Sequence, residues 1–211
     1  SAFKNLPASP EAEAAIDRAG ARARKQAAEG GNSGAREERQ GRGHLIASLA
    51  PGTNAMVFES GAALRIPKGA EFVFQIHYTA IGTAMTDQSK LGLIFSDEPP
   101  EREMIAGQFL NPYFEIPPGE SNQQVDSLIE FTDDAQLYAL LPHTHLRGKR
   151  WEYEIRSPDG RAEPLLSVPG YDFNWQTYYQ FEEPLIAPKG AQLAATAWYD
   201  NSAANKSNPD P

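Results

Sequence analysis

The sequence predicts an all-β protein, and three observations predict it. Short apolar stretches recur along most of its 211 residues. They are separated by turn residues, drawn from 17 glycines and 17 prolines. Within many of these stretches apolar and polar side chains alternate, the period of a strand with one face on a core. A chain of this length is one large domain or two small ones, with enough residues to bury a core.

The elements follow in order. Residues 1–43 stand apart from the rest. "SPEAEAAIDRAGARARKQAAEGG" is rich in alanine and charge. Ser9 suits an N-cap, Pro10 the first helical position and Gly30-Gly31 a stop. The pattern predicts a surface helix over about 10–28, followed by a polar loop, "GNSGAREERQGRG". This segment reads as an insertion or linker, or as a docking helix for a partner. From residue 44 onward the pattern is β, with strands expected near 54–58, 71–79, 90–96, 104–110, 124–131, 136–142, 151–157, 163–168, 178–182 and 191–199. "SPDG" (157–160) is a turn between two of them. "SDEPPERE" (96–103) reads as a crossing between two units.

An internal repeat supports that division. "IPKGAEFVFQIHY" (66–78) and "APKGAQLAATAWY" (187–199) align without a gap, and "IPPGE" (116–120) echoes the turn alone. Each long copy is a Pro-Lys-Gly-Ala turn feeding a strand that ends in tyrosine. His77 falls where Trp198 falls, so a core aromatic role is one reading of His77.

Charge and composition exclude several function classes. The net charge is −9, and it is uneven: residues 1–50 carry 8 Lys/Arg against 6 Asp/Glu, the remainder 11 against 22. An acidic body argues against nucleic acid as a partner. There is no cysteine, so thiolate and disulfide chemistry are absent, and no apolar run is long enough to span a membrane as a helix. The chain has no initiator methionine and reads as a processed chain or a piece of a longer one. No nucleophile elbow, no H-E-x-x-H and no phosphate loop is present.

The sharpest signal is "LLPHTHLRGKRWEYEI" (140–155), which places two of the four histidines, His143 and His145, one residue apart. On an extended chain residues i and i+2 face the same way. The pair is either two nitrogen ligands of a metal or a hydrogen-bonded surface pair. Pro142 marks a strand edge or bulge. His77, in "FQIHYT", and His44, in "GRGHLIA", are lone histidines. Met56, Met85 and Met104 are available as soft ligands, though core or loop packing is the commoner use. "VPGYDFNWQTYYQFEEP" (168–184) is an aromatic-rich run that reads as core strands and their rim, or as a stacking platform. Arg147, Lys149 and Arg150 read as a solvated turn.

"FQIHYT", "KLGLIFSDEPP", "LLPHTHLRGKRWEYEI", "DFNWQTYYQF" and "PKGAQLAATAWYDNSAANKSNPDP", in that order, resemble the type II copper, ascorbate-dependent monooxygenases. That family includes peptidylglycine α-hydroxylating monooxygenase and dopamine β-monooxygenase, and the resemblance is closest to their bacterial relatives. It covers about residues 44–211. It implies two jelly-roll-like antiparallel β-sandwiches. Residues 44–98 would be part of the first, incomplete one, 99–211 would be the second, and 1–43 an insertion or linker.

The resemblance further implies a copper in each sandwich. One, held by the H-x-H pair and a methionine, is where O₂ and a substrate C–H bond react. The other, held by three histidines, passes on an electron from ascorbate or another donor. His143 and His145 match the H-x-H pair, and His77 matches the third histidine of the electron-transfer copper. Imidazole suits both oxidation states of copper, and thioether favours Cu(I). The sequence departs from the family in having no adjacent His-His pair and no methionine beyond the "NPDP" segment. Half of the expected copper ligands are therefore missing, and at most one copper is expected on this chain.

The expected function is that of a copper-dependent monooxygenase, or a large fragment of one, acting on a small organic substrate with O₂ and an external reductant. The rival is a non-catalytic β-sandwich subunit of a larger assembly, docked to other subunits or to the rest of a longer chain through residues 1–43. A third reading is a zinc-bound binding module using the same pair. An extracytoplasmic location, periplasmic or secreted, goes with the first reading.

Overall fold

The computed structural model describes residues 3–6, 45–108 and 110–210. The expected helix over 10–28, and His44 with it, lies outside them. The described chain is all-β, with no helix. Its nine strands are β1 (Phe3–Leu6), β2 (Ala62–Leu64), β3 (Arg102–Met104), β4 (Gln123–Phe131), β5 (Ala135–Leu140), β6 (Gly148–Arg156), β7 (Ala162–Val168), β8 (Tyr179–Ala187) and β9 (Gln192–Tyr199). The chain divides into two compact units, one of residues 56–106 and one of the remainder.

In the larger unit a five-stranded antiparallel sheet runs β1-β4-β9-β6-β7. A second antiparallel sheet is the pair β5-β8, with a bulge between Leu137 and Ala139. The pleat sends alternate side chains of β4, β9 and β6 to a common face. There the register lines up rungs across the sheet: Val125–Ala197–Trp151, Ser127–Ala195–Tyr153 and Ile129–Leu193–Ile155. Two of these rungs put an alanine of β9 beside a ring of β6, and Trp151 stacks on Tyr153 with centroids 5.5 Å apart. From β5 and β8, Leu140 and Ala187 join the same buried cluster, with Leu137, Phe181 and Leu185 packed around it. Two sheets thus share one core, consistent with a β-sandwich.

The opposite face of β9 is also closed. Trp198 is buried under the Arg150 guanidinium, whose carbon lies 3.6 Å from the ring centroid. Thr196 donates its hydroxyl proton to Asp126 Oδ1 at 2.8 Å.

The three turns of the internal repeat have one geometry. Gly69, Gly119 and Gly190 each have φ between 75° and 83°. In each, the amide three positions after the first proline donates to that proline's carbonyl: Ala70 to Pro67, Glu120 to Pro117 and Ala191 to Pro188. This is the type II pattern, which needs positive φ at its third residue and so selects glycine.

The strands that follow differ. Residues 192–199 lie between β4 and β6. Residues 71–79 carry the same alternation but join no ladder, and neither do 54–58, 90–96, 105–108 or 110. The expected strands there are corrected accordingly. Of this region only β2 and β3 pair, in parallel and over three residues, backed by an Arg102–Glu59 ion pair of 2.9 Å. The physical reason is that a strand is completed by neighbours, and among the described residues 71–79 has none. Its apolar side chains are exposed, Val73 at 89% and Ile94 of the 90–96 segment at 95%.

Candidate functional site

The H-x-H segment sits just past the end of β5. Pro142 has no amide proton to continue the ladder, and residues 141–145 run on outside any strand. The expected strand over 136–142 is therefore shorter, but the alternation survives. Pro142 and Thr144 are buried, while His143 and His145 are exposed.

Thr144 is the anchor. The Tyr171 hydroxyl donates to the Thr144 carbonyl at 2.6 Å and accepts the Thr144 amide proton at 3.2 Å. The Trp151 indole N–H, from the core face of β6, reaches Thr144 Oγ1 at 3.4 Å. The chain then turns, with the Gly148 amide donating to the His145 carbonyl at 2.8 Å. Gly148 leaves room for this close approach: a Cβ there would overlap Thr144 Oγ1 and lie 2.8 Å from Tyr171 Cδ1.

Held from below in this way, the two imidazoles meet on the solvent side. Their ring centroids are 5.2 Å apart with planes at 81°. Phe173 meets His145 in a T-shaped contact, centroids 5.8 Å apart and planes at 72°. His143 Nδ1 lies 2.5 Å from Gln176 Oε1. Gln176 is only 4% exposed, and each of its polar groups is used. Its Nε2 donates to the Phe173 carbonyl at 2.7 Å, its amide to the Pro51 carbonyl at 2.7 Å, and its carbonyl accepts the Thr53 hydroxyl at 2.8 Å.

Thr53 Oγ1 in turn accepts the Ala50 amide proton at 3.0 Å. Gly52, at φ +89°, passes so near that a Cβ would lie 3.1 Å from the Gln176 nitrogen and 3.2 Å from Trp175 Cα. Two imidazoles on a fixed backbone, open to solvent, can donate nitrogen ligands to a soft or borderline metal.

The other expected ligands are elsewhere. His77 is exposed in the 56–106 unit, with its Nε2 2.9 Å from Gln75 Nε2. Unlike Trp198, its counterpart in the repeat, it is no core aromatic. Met104 lies in β3 and Met85 is 74% exposed. Among the described residues no group of three or more His, Cys, Asp or Glu is poised to hold a metal, and no helix is long and apolar enough to cross a membrane.

Arg147, Lys149 and Arg150 are not a solvated turn. Arg147 Nε donates to Asn201 Oδ1 at 2.6 Å and its Nη2 to the Asp210 carbonyl at 3.0 Å. Lys149 Nζ donates to the Ser121 carbonyl at 2.9 Å, and Arg150 covers Trp198. Asn201, 6% exposed, also donates to the Ile116 and Pro117 carbonyls. The "RGK" and "DNSAAN" stretches are thus clasps that close the end of the sheet.

Gln176, Tyr171 and Thr53 were not singled out from sequence. The available signal was one of two glutamines, Gln176 and Gln180, inside an aromatic run. That run also helps line an open cavity of about 370 Å³, with Leu140, Leu165, Leu166, Tyr178, Tyr179 and Phe181 in its wall. Leu140 is three residues from His143 and Tyr178 two from Gln176, so at ~3.3 Å per extended residue the cavity wall begins within about 10 Å of the pair along the chain. No model of a known protein family matches the sequence, and no curated protein does.

Proposed function

We propose that this chain is a copper-dependent monooxygenase, or a large part of one, in which His143 and His145 hold the copper at which a small organic substrate is hydroxylated with O₂ and an external reductant. The observation that carries the reading is the meeting of two exposed imidazoles, 5.2 Å apart, on a backbone pinned through buried Thr144. Such a donor set fits copper: two nitrogens, with the remaining positions open to solvent, a third ligand or substrate. When bound, copper would supply one-electron chemistry with dioxygen. The chain's own part is to keep the two rings together, to orient His143 through Gln176, and to shield one side of His145 with Phe173.

The finer features belong to the same proposal. They are two jelly-roll-like sandwiches, with 44–98 part of the first and 99–211 the second, His77 as the one retained ligand of an electron-transfer copper site that is incomplete on this chain and holds no copper, and an extracytoplasmic location. They rest on the sequence resemblance. A second reading, a non-catalytic subunit of a larger assembly, is favoured by one observation. Phe72, Val73, Phe74, Ile94 and Phe95 are all exposed in the 56–106 unit, a surface of the kind that marks interaction.

Calorimetric titration with Cu(II), and separately with Zn(II), distinguishes the readings. The monooxygenase reading expects copper to bind the wild type and binding to be lost in His143→Ala and in His145→Ala. Equal copper binding in both variants would discard it in favour of the subunit, and binding of zinc alone would point to the third reading, a zinc-bound module.

A further inference from the structure

We infer that Gln176 is a positioning residue: clamped by the Ala50–Thr53 turn, it holds His143 as the Nδ1–H tautomer and turns the Nε2 lone pair outward beside His145. The functional consequence rests on the copper reading above; the hydrogen-bond argument does not.

The Phe173 carbonyl fixes which way the Gln176 amide points. A carbonyl oxygen can only accept, so the Gln176 group 2.7 Å from it must be the amide nitrogen. The flipped amide would set two oxygens against each other in a site where Gln176 is 4% exposed. The Gln176 oxygen therefore faces His143 Nδ1 at 2.5 Å. That oxygen too can only accept, so Nδ1 carries the proton, and the neutral ring keeps its lone pair on Nε2.

The amide cannot rotate away without cost. Its backbone is held by Pro51 on one side and Thr53 on the other, and Gly52 packs against it where any side chain would crowd Trp175 and Gln176. Metal-ligating histidines characteristically donate their second ring N–H in this way, which fixes both tautomer and ring orientation. A neutral amide is the apt partner. A carboxylate at 176 would pair equally well with an imidazolium, which has no lone pair to give.

The test reads the tautomer directly in metal-free, nitrogen-labelled protein, by long-range proton–nitrogen correlation at about pH 9, where imidazoles are neutral. In the wild type, His143 is expected with a protonated Nδ1 and a bare Nε2. Gln176→Leu, which keeps the volume and removes the acceptor, is expected to move His143 toward the Nε2–H form that free imidazoles favour, with His145 unchanged. Thr53→Val is expected to produce a smaller move in the same direction. Gln176→Glu, which keeps an acceptor, is expected to retain Nδ1–H.

An Nε2–H His143 in the wild type overturns the inference, and so does a Gln176→Leu variant with an unmoved tautomer. Should Gln176→Leu fail to fold, the wild-type spectrum and Thr53→Val still decide. The copper arm is separate: Cu(II) affinity is expected to fall about 10–100-fold in Gln176→Leu. Undiminished affinity in a variant whose tautomer has switched overturns the positioning role. A wild type that shows Nδ1–H yet binds no copper removes the copper reading and leaves the tautomer assignment standing.

Discussion

At the scale of single residues, the histidine pair is a consequence of what lies beneath it. Thr144 faces inward because its neighbours face outward, and its peptide is closed by one phenol. Tyr171→Phe removes the donor to the Thr144 carbonyl and the acceptor for its amide at once. Two half-buried backbone groups then lose their partner, and the expected loss of stability is about 1–3 kcal/mol. Denaturant unfolding checks it, with an unchanged midpoint the contrary result. The pair itself was legible in the sequence, because spacing of two on an extended chain is a local rule. Gln176 was not: its bond to His143 spans 33 residues and exists only because β8 returns beside β5. The Arg-Gly-Lys-Arg run was misread for the same reason, since the asparagine and tryptophan that engage it lie about fifty residues on.

At the scale of elements, the second half of the chain was legible and the first half was not. The strands expected at 124–131, 151–157, 163–168 and 191–199 correspond to β4, β6, β7 and β9 within a few residues. Their alternation matches a sheet with a core on one face. The short strand β1 gave no sequence signal. The repeat was right about its turns and wrong about one of its strands. Pro-Lys-Gly fixes a turn locally, whereas 71–79 depends on neighbours for its ladder.

The strand β9 shows what neighbours contribute. It is the centre of the five-stranded sheet, and Leu193, 2% exposed, fills the rung between Ile129 and Ile155. Leu193→Ala is expected to cost about 2–5 kcal/mol, the range for a deep aliphatic truncation. A loss well under that range in a thermal or denaturant melt would mean that the two sheets close over the gap.

At the scale of the whole molecule, three tyrosines tie stability to alkaline pH. Burial pushes the Tyr153 hydroxyl far above its ordinary range. Burial, with Tyr171 nearby, pushes Tyr199 up to about 12, and burial also raises Tyr171. The folded protein therefore keeps protons that the unfolded chain releases above about pH 10. Stability is full below that value and falls as pH rises beyond it. The unfolding midpoint is expected to drop as pH rises above about 10, with the tyrosinate absorbance of these three rings appearing at higher pH in the folded protein than in the unfolded chain. Ionisation of all 8 tyrosines near their ordinary value in the folded state would contradict this.

The all-β class was legible from composition and turns. The role of the 56–106 unit was not, because its apolar side chains read as strand cores in the sequence yet are exposed among the described residues.

The central claim is that His143 and His145 form a copper site. Electron paramagnetic resonance of the copper-loaded chain, with elemental analysis, tests it most directly. The account predicts one copper per chain, a type II signal with hyperfine splitting from imidazole nitrogen, and loss of that signal in His143→Ala. A signal that persists in His143→Ala, or no bound copper at all, would contradict it.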